Sequence, residues 1–457
     1  VPIFSNRTLA SMLRGLPPHV RTRCEADLLG RLTSDGHTAL AAEWELFSLS
    51  QMARGGTLDL APPAQPGVPD AVFTLAGHSP IVVEVTALND QDLEERFADD
   101  ALGMLFYRAI NRLTGRPVGA LDVHAVWPVG DRGLPTAGLP PRSQLHQFMR
   151  RPEVREFVEA VAAAPDQTRT LEHRVGDSVT TVVFRPGAQY SSGSVAGYSA
   201  RGFNEHNRRR LLKKLWGKSK QLKSSNLRLP SVLILCDADC RMLREQLQQR
   251  WSPESAAHAV FDFISGRPTL GLPGPNGPWI IQKGSPQQST TINAVLILTV
   301  EDRWGHFGSE RSRNLKISVV RNEGAARHPL SDETLQALVD VLATNVPKIH
   351  RTPMNAKKER PWTDHEGGGQ LSGTRVRLSM LAFQDLLTGR TSQAEFAARN
   401  EFTAKHIARL VAGGRCLSNA QIIKHAESDD DWIEFDFADI DPRSLRRLIE
   451  QGSDPER

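Results

Sequence analysis

Pro69-Asp70-Ala71-Val72-Phe73-Thr74-Leu75, then a Gly77-His78-Ser79-Pro80 turn, then Ile81-Val82-Val83-Glu84-Val85-Thr86: on this stretch the fold reading turns. Two runs rich in β-branched and aromatic residues around a Gly/Ser/Pro turn read as a β-hairpin. Asp70 opens the first run and Glu84 lies near the end of the second, so antiparallel pairing brings both carboxylates to one end of a sheet. Upstream, residues 37–54 (HTALAAEWELFSLSQMAR) space Leu40, Trp44, Phe47 and Met52 as one buried face of a helix, which Gly55-Gly56 ends. A proline-rich loop at 61–69 separates this helix from the hairpin.

Working outward, residues 90–114 return to helical periodicity and 118–126 give another strand. Residues 128–200 read as an elaboration, with a Pro/Gly-rich loop, a helix near 152–163 and a hairpin near 169–185. A basic helix at 204–223 leads through Pro230 into the short buried strand Val232-Leu233-Ile234-Leu235, and runs at 294–300 and 315–320 extend the sheet. The expected class is α/β, a mixed central β-sheet flanked by helices. The polar, breaker-rich stretch at 352–373 predicts a boundary. This divides the chain into an α/β domain over 1–350, a linker over 351–373 and a mainly helical C-terminal domain over 374–457. That last domain is expected to be helical from Ser379 to about Lys424 and to close with a strand at 432–437 and an acidic tail, 427–441.

At 457 residues the chain is long enough for two or three such units. With 39% hydrophobic and 24% charged residues the composition is that of a soluble globular protein, and no run approaches the roughly 18 apolar residues that cross a bilayer. No membrane association and no secretory signal are expected. Cys24, Cys236, Cys240 and Cys416 are too scattered for a disulfide framework, which points to the cytoplasm. Cys236 and Cys240 lack a second Cys/His pair at zinc spacing and read as buried thiols. The net charge of +4 hides an asymmetry, because residues 201–223 are strongly basic around a single acid, Glu205.

Two carboxylates converging at a sheet end suit Mg²⁺, which prefers hard oxygen ligands. The Pro69-Asp70 strand start, the short hairpin, Val83-Glu84-Val85-Thr86 and the preceding helix with Glu45 in a Glu-Leu-Phe context resemble the PD-(D/E)XK superfamily of restriction-endonuclease-like proteins. The resemblance implies a restriction-endonuclease-like core and a Mg²⁺- or Mn²⁺-dependent endonuclease. Its substrate would be the phosphodiester backbone, of DNA more than RNA, in restriction or anti-phage defence. Carried over, Asp70, Glu84 and the main-chain carbonyl of Val85 are metal ligands, and Glu45 is the auxiliary acid, with Glu43 as its alternative. Thr86 departs from the family, standing where the motif lysine is usual. Either the lysine has migrated, for which Lys218-Ser219-Lys220-Gln221 is the candidate because Lys218 and Gln221 share a helix face, or the fold persists without activity. In the second case it would serve as a nucleic-acid-binding or protein-interaction module.

Leu211, Leu212, Leu215 and Leu222 give the basic helix an apolar face for docking. Arg208, Arg209, Lys213, Lys214 and Lys220 are then the expected contacts to a phosphate backbone, against the plainer reading of a solvated basic face. His37 and His78 read as ordinary rather than catalytic histidines. Residues 391–414 have the outline of a helix-turn-helix that would turn Lys405, His406 and Arg409 to DNA. A plain helical hairpin fits better, since the turn lacks glycine and the tail that follows is acidic. That tail is expected to shield the basic helix or to bind a partner, and the C-terminal unit is where a homodimer or protein partner would attach.

Overall fold

The computed structural model describes residues 3–34, 36–60, 69–96, 98–115, 118–128, 136–188, 204–224, 227–245, 255–265, 273–274, 277–278, 291–303, 312–322, 328–356, 369–424 and 429–439. The proline-rich loop over 61–68, Arg201, and residues 357–368 of the expected linker lie outside them. The elements used below are, in chain order, α1 (Asn6–Gly15), α2 (Pro18–Leu32), α3 (His37–Gly55), β1 (Gly56–Leu60), β2 (Ala71–Leu75), β3 (Ile81–Leu88), α4 (Gln91–Arg96), α5 (Asp99–Thr114) and β4 (Gly119–Val126). They continue with α6 (Pro152–Ala163), β5 (Arg169–Val175), β6 (Ser178–Pro186), α7 (Glu205–Ser224), β7 (Ser231–Asp237), α8 (Arg241–Glu245), α9 (Ala256–Ile264), β8 (Ala294–Arg303), β9 (Ser312–Arg321) and α10 (Asp332–Ala343). The last are β10 (Gly369–Ser372), β11 (Arg375–Ser379), α11 (Met380–Leu387), α12 (Gln393–Arg399), α13 (Glu401–Ala412), β12 (Arg415–Ile423) and β13 (Trp432–Asp439).

The chain forms two compact units, neither continuous in sequence. One comprises Val1–Ser50, Asp302–Asn314 and Asn345–Arg457, the other Gln51–Glu301 and Leu315–Thr344. The mixed α/β class and the helix-flanked central sheet are as expected. Six strands lie in the order β1-β2-β3-β7-β8-β9. β1, β2 and β3 form an antiparallel meander, whereas β3 with β7 and β7 with β8 pair in parallel. Glycine shapes the entry to this sheet: an added Cβ at Gly56 would collide with the Thr74 carbonyl, and one at Gly55 with Val341 of α10. β7 is buried at every residue, as a parallel central strand requires. On one face, Leu211, Leu212, Leu215 and Leu222 of α7 and the apolar side of α9 pack onto Val82, Leu88, Leu233, Leu235, Val295 and Ile297.

The strand expected over 118–126 leaves the central sheet. As β4 it pairs with β6, which also pairs with β5, giving a separate three-stranded sheet over the core of α5 and α6. The helix and hairpin expected at 152–163 and 169–185 are present within this layer.

In the other unit, Phe4 stacks on Phe47 with centroids 5.4 Å apart and meets Trp44 edge-on. The C-terminal stretch supplies helices α11, α12 and α13 together with an antiparallel sheet in the order β10-β11-β13-β12. The helix expected to run to about Lys424 stops at Ala412, because Gly413-Gly414 follows with Gly414 at φ +81°, a left-handed conformation that suits glycine. β12 takes up the rest of that segment. The strand expected at 432–437 is β13.

Candidate active site

The hairpin acids meet as its register dictates. The β2–β3 ladder ends at the pair Ala71–Val83, and the next step brings Asp70 opposite Glu84. Asp70 Oδ2 accepts the Val85 N–H at 2.7 Å, and the Asp70 N–H donates to Glu84 Oε2 at 3.2 Å. Because the N–H and C=O of one extended residue point to the same strand edge, the Val85 carbonyl faces that edge as well.

Side chains alternate along β3, so Glu84 and Thr86 share the face of Val82 and Leu88, the face that α7 covers. The leucines of α7 dock there and set Lys218 and Gln221 over Glu84. Lys218 Nζ donates to Glu84 Oε1 and, at 3.2 Å, to Gln221 Oε1, and Gln221 Nε2 reaches Glu84 Oε2 at 3.3 Å. Glu84 is fully buried. Burial, then the negative charge of Asp70, push its pKa up to about 7, against the pull of Lys218. Lys214, one turn before Lys218, keeps its side chain in contact with solvent. Its ammonium is nevertheless held below the ordinary value by partial desolvation and by the charge of Lys218. Thr86 is buried two residues beyond Glu84, and a cation reaches this face from α7 instead.

Glu45, the expected auxiliary acid, belongs to the other unit, where Arg31 Nη2 pairs with it at 2.8 Å. Glu43 lies in the same unit and accepts the Ile3 and Phe4 N–H groups at 2.7 and 3.1 Å. Its burial raises its pKa to about 8, so it fixes a chain segment. His78 contacts Thr334 Oγ1 at 3.1 Å, and His37 is buried.

A second acidic group, at the ends of β3 and β7, escaped the sequence reading. Asp90 follows β3, while Asp237 ends β7 and Asp239 follows it at φ +72°. Arg244 Nη1 lies 3.2 Å from Asp237 Oδ2 and its Nη2 2.9 Å from Asp239 Oδ1, while Arg210 Nη1 of α7 lies 3.3 Å from Asp90 Oδ1. The Cys240 N–H donates to Asp237 and the Arg241 N–H to Asp90, at 2.6 and 2.9 Å. Burial pushes the Asp237 pKa up to about 6. Its signal in the sequence was the Asp237-Ala238-Asp239 turn, but the partners stand up to about 150 residues away, Arg241 with Asp90 among them.

Of the expected phosphate contacts, Lys213, Lys214 and Lys220 are exposed. Arg208 and Arg209 lean back on Glu205, at 3.7 and 3.0 Å. In the C-terminal stretch only Asn400 separates α12 from α13. Lys405 pairs with Glu401 at 2.6 Å, and His406 contacts the Gly373 carbonyl at 2.9 Å, so this is a helical pair laid on its own sheet. The acidic stretch is likewise used within its unit. Asp429 caps α1 through the Asn6 and Arg7 N–H groups at 2.7 and 3.0 Å, and Asp430 accepts from Ser379 and from the Leu381 N–H at the start of α11. Asp431 pairs with Arg7 at 2.7 Å, Glu434 with Arg377 at 2.6 Å and Asp436 with Arg375 at 2.9 Å. These charges fasten the described part of the stretch within its own unit.

Among the described residues no three His, Cys, Asp or Glu side chains gather as a ready metal cluster. The donors at Glu84 are two carboxylates and a carbonyl, all hard oxygens. Mg²⁺ commonly takes one or two carboxylates and completes its shell with water and phosphate, so this donor set fits it. Among the described residues no helix is long and apolar enough to cross a membrane. Compared with protein-family models, with curated proteins and with solved structures, the chain matches none.

Proposed function

We propose that this chain is a divalent-metal-dependent nuclease of the restriction-endonuclease-like kind, in which Lys218 from α7 does the work of the motif lysine that Thr86 lacks. The observation that carries this reading is the placement of Lys218 on the Glu84 carboxylate, with Asp70 joined to the same carboxylate from the neighbouring strand. Asp70, Glu84 and the Val85 carbonyl are the groups that would hold Mg²⁺ or Mn²⁺. Such an ion, when bound, polarises the phosphodiester and offsets its developing charge.

The chain's own groups divide the remaining tasks. Lys218 places a positive charge where an attacking water and a non-bridging phosphate oxygen must lie side by side, and Gln221 fixes its ammonium through the 3.2 Å contact. Ionised Glu84 is kept within reach by Lys218, because burial alone would favour its protonated form. Lys214, on the side of α7 that carries Lys218, supplies a cation to neutralise a nucleic-acid backbone beside the site, and Lys213 and Lys220 extend the basic surface around the helix, DNA being the preferred substrate. Arg208 and Arg209, engaged with Glu205, contribute less.

Plasmid and oligonucleotide substrates incubated with Mg²⁺ or Mn²⁺, with and without chelator, test the proposal. Cleavage is expected with metal only and is expected to disappear in Asp70→Asn and Glu84→Gln proteins that still fold. Chelator-resistant cleavage, or full activity in both variants, sinks it. Salt-sensitive binding with no cleavage of any nucleic acid would assign the chain to the inactive, nucleic-acid-binding reading instead.

A further inference from the structure

The helix that delivers Lys218 has a second chemical face. At 100° per residue, Arg209, Lys213, Trp216, Lys220 and Lys223 fall within an arc of about 80° on α7, and Lys218 lies about 180° from its centre. Lys213, Lys220 and Lys223 are exposed, and Trp216 keeps 36% of its surface in solvent. A tryptophan this exposed is unusual in the middle of a lysine stripe, where a solvated face would carry small or polar residues. Its ring is also held in place. Phe263 of α9 meets it at an interplanar angle of 74° with centroids 6.5 Å apart, and Lys220 Nζ stands 5.4 Å from its centroid in a cation–π contact. From Lys213 to Lys223 the stripe spans about 15 Å.

We infer that this stripe binds unpaired nucleic acid, with a base stacked on Trp216 and flanking phosphates neutralised by Lys213, Lys220 and Lys223. The charges call for a polyanion, and the indole selects among polyanions. A duplex hides its base faces and the carboxylate side chains of an acidic peptide have no aromatic plane, whereas every unpaired base offers a π-face. Lys220, already over the ring, passes from the indole to the adjoining phosphate as the base arrives. The inference rests on nucleic acid being the ligand of α7 but not on cleavage, since the stripe lies on the side of the helix away from Glu84.

Binding is measured by fluorescence anisotropy in chelator with labelled thymidine oligonucleotide, the matching duplex and polyglutamate as competitor. The wild-type protein and the Glu84→Gln variant are expected to bind the single strand equally, so a failed nuclease proposal leaves this result standing. Trp216→Ala is expected to weaken single-strand binding about tenfold, within the range of one stacked base, and duplex binding less than twofold. Trp216→Phe, which keeps an aromatic face, should stay within threefold of wild type and guards against a folding artefact. Replacing Lys213, Lys220 and Lys223 together by Ala should flatten the salt dependence of single-strand binding by about 2 in log–log slope. Single-strand binding unchanged in Trp216→Ala, equal losses on single strand and duplex, or displacement by polyglutamate as readily as by thymidine oligonucleotide would each overturn the inference.

Discussion

Two groups of acids lie along strands β2, β3 and β7, and they are balanced by different bases. Asp90, Asp237 and Asp239 face the guanidinium groups of Arg210 and Arg244, supported by the main-chain N–H groups of Cys240 and Arg241. A guanidinium is permanently charged and planar, and meets carboxylates in a fixed fork. The neighbouring acids strengthen the charge of Arg244 further. Glu84, joined to Asp70, is met by the ammonium of Lys218, on a four-carbon stem whose side chain is 22% exposed. An ammonium on such a stem can turn aside for another cation or for a phosphate. The arginine-balanced group therefore reads as joinery for the turns after the two strands, and the lysine-balanced group as a place where chemistry can occur.

The largest effect expected from this contrast is at Glu84. Glu84→Gln should lower cleavage on the order of 1000-fold, as loss of a charge acting on the transition state does. Its melting temperature should stay level or rise, because a buried carboxylate that favours its proton has been replaced by a neutral group. A marked fall in melting temperature would place Glu84 with the joinery. Arg244→Met should do the reverse. It removes the guanidinium that Asp237 and Asp239 share and should cost about 3 kcal/mol in urea unfolding, while Mn²⁺ binding by the folded protein is unchanged.

Lys218→Met is expected to reduce cleavage about 100-fold, the scale of a positioned proton-handling group, with oligonucleotide binding in chelator kept. Adding Thr86→Lys restores a cation to the same face of β3 and should recover roughly a tenfold part of that loss. No recovery would separate the position of Lys218 from its charge.

The smallest effect is in pH dependence. The Glu84 pKa rises from its ordinary 4.5 to about 7 on folding, and that of Asp237 from 3.8 to about 6. The folded chain thus holds both protons longer than the unfolded chain does. The stability these groups contribute is full below the lower value of each pair and is lost as pH rises through the upper one. Urea midpoints should decline from about pH 4 to pH 7, and in Glu84→Gln the decline above pH 5 should be shallower.

Local pattern made much of this legible. Alternation in Ile81–Thr86 fixes the face of Glu84, and helical spacing puts Lys218 and Gln221 together on α7, so the four side chains that meet around Glu84 were legible in the sequence. The Asp237 group was not, because an Asp-Ala-Asp turn looks ordinary until Arg210 and Asp90 arrive from other parts of the chain. The roles of Asp429, Asp430 and Asp431 were hidden for a related reason. Charge runs are commonly solvated, and only the tertiary fold reveals that two of these acids cap helices while the third pairs with Arg7. The run from Val118 to Val126 is β-rich in any context, and its choice of sheet depends on β6, more than fifty residues later.

The unit holding the first fifty residues also contains Asn345–Arg457, and Asn6 is capped by Asp429, 423 positions away in sequence. A ribosome emits a chain in one direction at roughly 5 to 20 residues per second. The unit with the Glu84 site is fully synthesised by Thr344, whereas α1 waits tens of seconds for its cap. During that interval Phe4, Trp44 and Phe47 precede the segments that complete their unit, so the unit built around Glu84 can fold while the other still waits for its last strands.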